Sequence, residues 1–319
     1  MIVGAISLSH SPLKDRNRAD PAVEARFEAA LERAAQFVEE HRPDLAIIFH
    51  PDHVNGFFYG LLPPFCIGIE AASIGDYGTA AGALEIPEAR ALDLAQSVLR
   101  SGVDVAISYK MTVDHGAVQP LEWLTGRYAI AQVIPIFINC AAPPLPTTER
   151  ARALGAAVGA WAEQAPERVL VIGSGGLSHD PPVPAMSTAS ADARRRLIEG
   201  GSMSHRQRHQ RQNRAHGEGS AMARRQSTLM PANPGWARMV LDALAAGNLS
   251  VLDEADDAAI TAEGGRGGHE VRTWLAALAA LGTDYAATEL FYEPVDEWIT
   301  GMGVLQALPA GTGHRPARA

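Results

Sequence analysis

Four histidines and one glutamate stand where their side chains could do chemistry together. They are His10 in Leu8-Ser9-His10-Ser11-Pro12, His53 in Pro51-Asp52-His53-Val54-Asn55, His115 in Val113-Asp114-His115-Gly116, His179 in Leu177-Ser178-His179-Asp180 and Glu270 in Gly268-His269-Glu270. Imidazole titrates near neutrality and is a common metal ligand, so these side chains suit proton transfer, metal binding or both. A lone histidine after a strand is more often a hydrogen-bonded structural residue, but four in matching positions shift the balance toward a site. Two histidines, one carboxylate and open coordination positions describe the facial set of non-haem Fe(II) oxygenases, and zinc accepts the same donors. Spacing alone leaves both metals open, and two further histidines remain to carry protons.

The elements that must position them read as an α/β pattern. Residues 2–8, 45–49, 103–109, 133–138 and 169–173 are short apolar runs of the kind that form strands buried on both faces. Between them lie helical stretches at 21–40, 87–100 and 147–164, the first with Val23, Phe27, Leu31, Ala34 and Val38 on one stripe and Pro21 in its first turn. This alternation predicts a mostly parallel or mixed central sheet flanked by helices. Each of the four histidines falls within a few residues of the end of a different strand, so a parallel sheet would gather them at one edge, where open α/β sheets bind ligands. Further helices are expected at 236–246, 256–263 and 268–281, and a last β run at 289–292. In the helix at 268–281, Glu270 shares a face with Trp274, Ala277 and Leu278. A buried carboxylate there needs a metal ion, an arginine or its own helix start as partner.

Other features carry weaker signals. Gly173-Ser174-Gly175-Gly176 follows a strand as a nucleotide loop would, yet it completes no dinucleotide pattern, no P-loop lysine is present, and the Gly-x-Ser-x-Gly elbow that would make Ser174 a nucleophile is missing. These glycines are expected to let the backbone approach a ligand closely. Asp52, Asp114 and Asp180 adjoin three of the histidines and read either as orienting partners or as solvated and capping residues. Phe57, Phe58, Tyr59 and Phe65 read either as walls of an aromatic-substrate pocket or as core.

Of the 319 residues 47% are hydrophobic and 20% charged, a balance that supports a large core and excludes disorder. A formal charge of −9 offers no general attraction to nucleic acid or to an anionic membrane. Lys14 and Lys110 are the only lysines, so clustered arginines partly reflect the whole composition. Cys66 and Cys140 sit alone in apolar runs and read as reduced core thiols. With no cleavable leader and no run long enough to span a membrane, a cytoplasmic protein is expected. The expected organisation is one domain over 1–308, an arginine-rich surface excursion at about 185–230, helical in places, and a flexible tail at 309–319.

Taken together, the five motifs resemble the class III, LigB-type extradiol ring-cleavage dioxygenases, and within them the branch acting on 2,3-dihydroxyphenylpropionate and 2,3-dihydroxycinnamate. The likeness runs from residue 1 to about residue 303 and includes Pro63-Pro64-Phe65-Cys66 and Pro294-x-x-Glu297-Trp298-Ile299. It implies the LigB-type fold, Fe(II) held by His10, His53 and Glu270, His115 as proton donor and His179 as proton acceptor. It implies a catechol and O2 as substrates, ring opening beside the two hydroxyls to a 2-hydroxy-6-oxo-nona-2,4-dienedioate, and a homo-oligomer with neither nucleic-acid nor membrane partners. The competing expectations are a zinc-dependent hydrolase on the same five residues and a non-catalytic, Memo-like binding protein.

Overall fold

The computed structural model describes residues 1–201 and 203–310. β1 (Ile2–Leu8) is followed by α1 (Pro21–His41), β2 (Leu45–His50) and β3 (Phe65–Gly68). β4 (Ala71–Ile74) and β5 (Ala81–Ala83) form part of a second sheet, α2 (Glu88–Arg100) and β6 (Ala106–Ser108) come back to the first, and β7 (Met111–Val113) runs directly into α3 (His115–Leu124). β8 (Gln132–Ile138), α4 (Thr148–Gln164) and β9 (Val169–Ser174) complete the centre. Four helices follow, α5 (Ala191–Glu199), α6 (His205–Ala223), α7 (Pro234–Ala245) and α8 (Asp257–Gly264). A 3-10 turn over Arg266–Glu270 then enters α9 (Val271–Ala279), and the hairpin of β10 (Tyr285–Val295) and β11 (Thr300–Pro309) closes the fold.

The main sheet has eight strands in the order β10-β11-β1-β9-β2-β8-β3-β6. Its middle, β1, β9, β2 and β8, is parallel, while β11 and β3 run antiparallel to it on either side. β5, β4 and β7 make the second sheet of three strands. This is the mixed α/β architecture expected from the sequence.

The parallel strands are buried on both faces, and β2 shows how. Leu45, Ile47 and Phe49 pack into a core with Leu94 of α2, Val158 and Trp161 of α4 and Ala276 of α9. Ala46 and Ile48, pointing the other way, pack with Phe27 and Leu31 of α1 and Leu124 of α3. Each such large apolar side chain contributes about 1.5–3 kcal/mol by leaving water. α1 begins where Asp20 accepts a hydrogen bond from the Ala22 amide at 2.7 Å with Pro21 in the first turn.

Three expectations are revised. The run 103–109 is not a buried strand: pairing is confined to Ala106–Ser108, an edge strand in which Ile107 is 46% exposed. His115 therefore does not follow a strand of the main sheet but is the first residue of α3, directly behind β7 of the small one. Pro309 ends β11 instead of starting a tail, and residues 311–319 lie outside the described residues. β4, β5 and β7, each three or four residues long, are too short for a period-two pattern to show.

α9, which carries the chain away from Glu270, lies against α4 at backbone distance. A Cβ at Gly155 would stand 2.0 Å from the Ala276 carbonyl oxygen, and one at Gly159 would stand 2.2 Å from that of Ala280. Gly155→Ala should therefore push the helices apart and cost about 1–3 kcal/mol of stability, the usual cost of overpacking. Urea unfolding checks this through a lower midpoint at constant m. A midpoint equal to the parent's would show that the contact relaxes freely.

Candidate active site

β1, β9 and β2 are neighbours and parallel, so the loops after them meet at one edge of the sheet. Those loops carry His10, His179 and His53, while His115 reaches the same place from the start of α3 and Glu270 from the turn before α9. The structure thus brings all five residues together. Nitrogens of His10, His53 and His115 lie within 4.8 Å of one another. His10 Nε2 and His53 Nε2 are 3.5 Å apart, and Glu270 Oε1 is 3.5 Å from His53 Nε2 and 3.4 Å from His179 Nε2.

What holds each ring decides which nitrogen faces inward. His10 Nδ1 donates to Ser174 Oγ at 2.9 Å, because that hydroxyl spends its own proton on the Gly116 carbonyl. His53 Nδ1 donates to Asp114 Oδ2 at 3.1 Å and His115 Nδ1 donates to Asp76 Oδ2 at 2.7 Å. With Nδ1 engaged in this way, each of the three rings is left with Nε2 as its inward-facing donor atom. Burial holds the His10 ring down to a pKa of about 3, hence neutral. Burial also opposes charge on His53, but Asp114 and Glu270 outweigh it and raise that ring well above the ordinary imidazole range. His179 differs: its Nδ1 is buried and has no hydrogen-bond partner among the described residues.

Glu270 is buried without an arginine. Arg272, the nearest in sequence, donates instead to the Pro146 carbonyl, His269 Nδ1 and Asp257 Oδ1. Nor does the glutamate cap α9, whose first turn receives no side-chain hydrogen bond. Its Oε2 accepts from the Gly176 amide at 2.6 Å, and burial, which disfavours its charge, is overcome by His179, His53 and His10, so that its carboxyl is held well below the usual range. Imidazole nitrogens gathered beside a charged carboxylate fit a divalent metal ion. Among the described residues His10, His53 and His115 offer donors within 4.8 Å of one another, and Glu270 adds a carboxylate oxygen 3.5 Å from His53 Nε2.

The glycines of the β9 loop serve the protein's own side chains. A Cβ on Gly175 would stand 2.7 Å from Glu270 Cβ, and one on Gly176 would stand 2.5 Å from His179 Cε1. Gly267 packs closer still, with a Cβ position 2.1 Å from His179 Nε2. Ser174, considered above as a nucleophile, is the partner of His10.

The aspartates divide. Asp114 accepts from both the amide and Nδ1 of His53, from Asn55 Nδ2, and through its other oxygen from the Gly116 amide at the start of α3. Asp52 accepts from the amides of Asn55, Gly56 and Phe57 and fixes that loop, and Asp180 pairs with Arg266. Asp76, which the sequence did not single out, accepts from the His115 amide as well as its ring. Only its place between Gly75 and Gly78 hinted at a special turn. Val54, next to His53, has φ 58°, a conformation that a β-branched residue adopts only when its surroundings impose it.

In front of the rings lies an open cavity. Tyr77, Trp298, Ile299, Pro181 and Val183 wall it, and Tyr77 meets the His115 ring edge-on at 5.0 Å between centroids. Phe57 and Phe65, considered as walls, do not line it: Phe57 stacks on Phe137 at 3.7 Å and Phe65 is buried in the core. Phe58 borders an adjoining outer cavity.

Comparison with known proteins agrees with this geometry. Residues 4–303 match the family described as the catalytic LigB subunit of aromatic ring-opening dioxygenase. The chain is 45% identical over 311 residues to a 2,3-dihydroxyphenylpropionate/2,3-dihydroxicinnamic acid 1,2-dioxygenase of Mycolicibacterium paratuberculosis, covering 97% of this chain and 100% of that one. A protein of the same name from Paraburkholderia xenovorans is 48% identical over 306 residues, covering 95% and 96%. The crystal structure of an uncharacterized Escherichia coli K12 protein shares the fold, with TM-score 0.52 and 13% identity over 95% of this chain and 99% of that one. The chain belongs to the LigB family of aromatic ring-opening dioxygenases. It is a ring-cleaving dioxygenase, and its described residues include a group able to hold the metal on which such enzymes depend.

Asp114 is the hub of this group. Asp114→Ala should lower affinity for a divalent probe such as Co(II) about 10- to 100-fold, because the His53 ring and amide lose their anchor together. Titration of metal-free protein reads this, and an unchanged affinity would remove Asp114 from any part in orienting His53.

Proposed function

We propose that this dioxygenase uses Fe(II) and O2 to open the ring of 3-(2,3-dihydroxyphenyl)propionate, and of the related 2,3-dihydroxycinnamate, beside its two hydroxyls. The propionate substrate takes up both oxygen atoms to give 2-hydroxy-6-oxo-nona-2,4-dienedioate. The observation that supports the reading is that His53 Nε2 lies 3.5 Å from both His10 Nε2 and Glu270 Oε1, with the two histidines lining an open cavity. The names of relatives 45% and 48% identical support the substrate.

Within this reading His10, His53 and Glu270 hold the iron. Glu270 is preferred to His115 as the third ligand because its charge offsets part of the metal's in a buried place. Fe(II) supplies a Lewis-acidic, redox-active centre that holds both reactants close together. His179 takes a proton from the catechol, a role suited to the one ring of the four whose Nδ1 is unspent. His115, fixed by Asp76, returns a proton as the ring opens. Tyr77 and the apolar wall at Pro181 and Val183 confine the substrate ring.

The test compares four variants for bound iron and for ring cleavage, followed as oxygen uptake and appearance of the yellow dienol product. His10→Ala and His53→Ala should lose iron. His115→Gln and His179→Gln should retain it and turn over about 10²- to 10⁴-fold more slowly. Loss of iron from His115→Gln would place that residue in the ligand set, and wild-type protein loaded with Fe(II) that consumes no oxygen with any catechol would refute the activity. A homo-oligomer belongs to the same proposal: the edge strand β6 and the residues after it leave Ile107 and Tyr109 46% and 49% exposed, a surface a second copy would cover. Sedimentation velocity reporting only monomer would contradict it.

A further inference from the structure

The cavity opposite the imidazoles has one cationic wall. Arg208 and Arg211, three residues apart and so on one face of α6, both line it. The acidic side chain lining it is Asp76, whose oxygens are taken by the amide and ring of His115 at 2.8 and 2.7 Å. Outward, an adjoining cavity shares Pro182, Met203 and Arg211 with the first and adds Arg196 and Arg214, and among the described residues no Asp or Glu lines it. A neutral catechol has no use for this charge.

The two inner arginines are not equivalent. Arg211 donates through Nη1 to Asn55 Oδ1 at 3.0 Å and through Nη2 to the His53 carbonyl, which makes it a brace for the His53 loop. Arg208 donates only through Nη1, to the Ile74 carbonyl at 2.6 Å. Among the described residues its Nε is buried with no partner, its Nη2 makes no hydrogen bond, and no carboxylate forms an ion pair with it. The unspent Nε–Nη2 edge is the fork with which arginine grips a carboxylate through two parallel hydrogen bonds. This protein uses that edge elsewhere: Arg90 holds Glu167 through Nε and Nη2 at 2.8 and 2.9 Å, and Arg26 holds Glu293 at 2.7 and 3.0 Å.

We propose that Arg208 is the residue that selects an acidic substrate, its Nε–Nη2 edge receiving the carboxylate at the end of the aromatic substrate's side chain. The inference rests on the ring-cleavage reading for the identity of that substrate and adds what the reading lacks, the group that distinguishes a catechol acid from a neutral catechol. Arg196 and Arg214 lend positive charge to the outer cavity, which favours approach of an anion.

The test is binding of 3-phenylpropionate and of its neutral counterpart 3-phenylpropan-1-ol to the full-length protein, measured by calorimetry. Neither carries ring hydroxyls, so the result is independent of whether a catechol is opened, and a failure here is separate from a failure of the ring-cleavage reading. Wild type should prefer the acid, Arg208→Gln should reduce that preference tenfold or more, and Arg208→Lys, which keeps the charge but not the fork, should retain part of it. In turnover, the ratio of kcat/KM for 3-(2,3-dihydroxyphenyl)propionate over 3-propylcatechol should fall by the same order, mostly through KM. Should the glutamine variant not fold, Arg208→Met asks the same question. An acid preference absent from wild type, undiminished in the uncharged variant, or accompanied by equal losses on acid and neutral catechol would overturn the assignment.

Discussion

A carboxylate sealed inside a protein must be compensated, and Glu270 is the place where this fold meets that requirement. Four per cent exposed and without an arginine, it faces His53 and His179 and takes a hydrogen bond from the Gly176 amide. Each neighbouring feature of the fold bears on that arrangement. β1, β9 and β2 run parallel, so three histidine loops end on the same side. Gly175 and Gly176 keep the β9 loop free of side chains where Glu270 and His179 come closest, and Gly155 and Gly159 let α9 settle on α4 at backbone distance.

The imidazoles are aimed by partners that also build the fold. Asp114 both caps α3 and takes the amide and ring of His53, so the helix start and the ring orientation are set by one side chain. Asp76 treats His115 in the same way, and Ser174 links His10 to the Gly116 carbonyl. Rings held by such short, buried bonds lose little freedom when a ligand arrives, which favours tight geometry where their Nε2 atoms face inward.

The cavity has two differently built sides. Its floor comes from loops fixed by the central sheet, whereas α6 forms a wall that is polar along most of its length and inserts Ala215, Gly219 and Met222 into the body of the protein. The imidazoles thus sit on the sheet side, and the guanidinium groups on the helix side. A substrate with an aromatic ring at one end and an acid at the other fits that division.

Much of this was legible in the sequence. Strands buried on both faces read as apolar runs, so β1, β2, β8 and β9 and the helices α1, α2 and α4 stand close to where periodicity puts them, and the five chemical residues stand out because each follows a strand or opens a helix. Local pattern failed where pairing is short or long-range. The small sheet of three- and four-residue strands has no readable period, β11 is interrupted by Gly301 and Gly303, and the run at 103–109 pairs over only three residues. Sequence alone determined the residue types able to bind a metal and move protons, because chemistry belongs to the side chain. Tertiary structure decided which nitrogen of each ring faces inward, that Asp76 and Ser174 are partners of His115 and His10, and that Arg208 lines the cavity with an Nε that has no partner among the described residues. Those facts depend on contacts between residues as much as 164 positions apart, which no local pattern encodes.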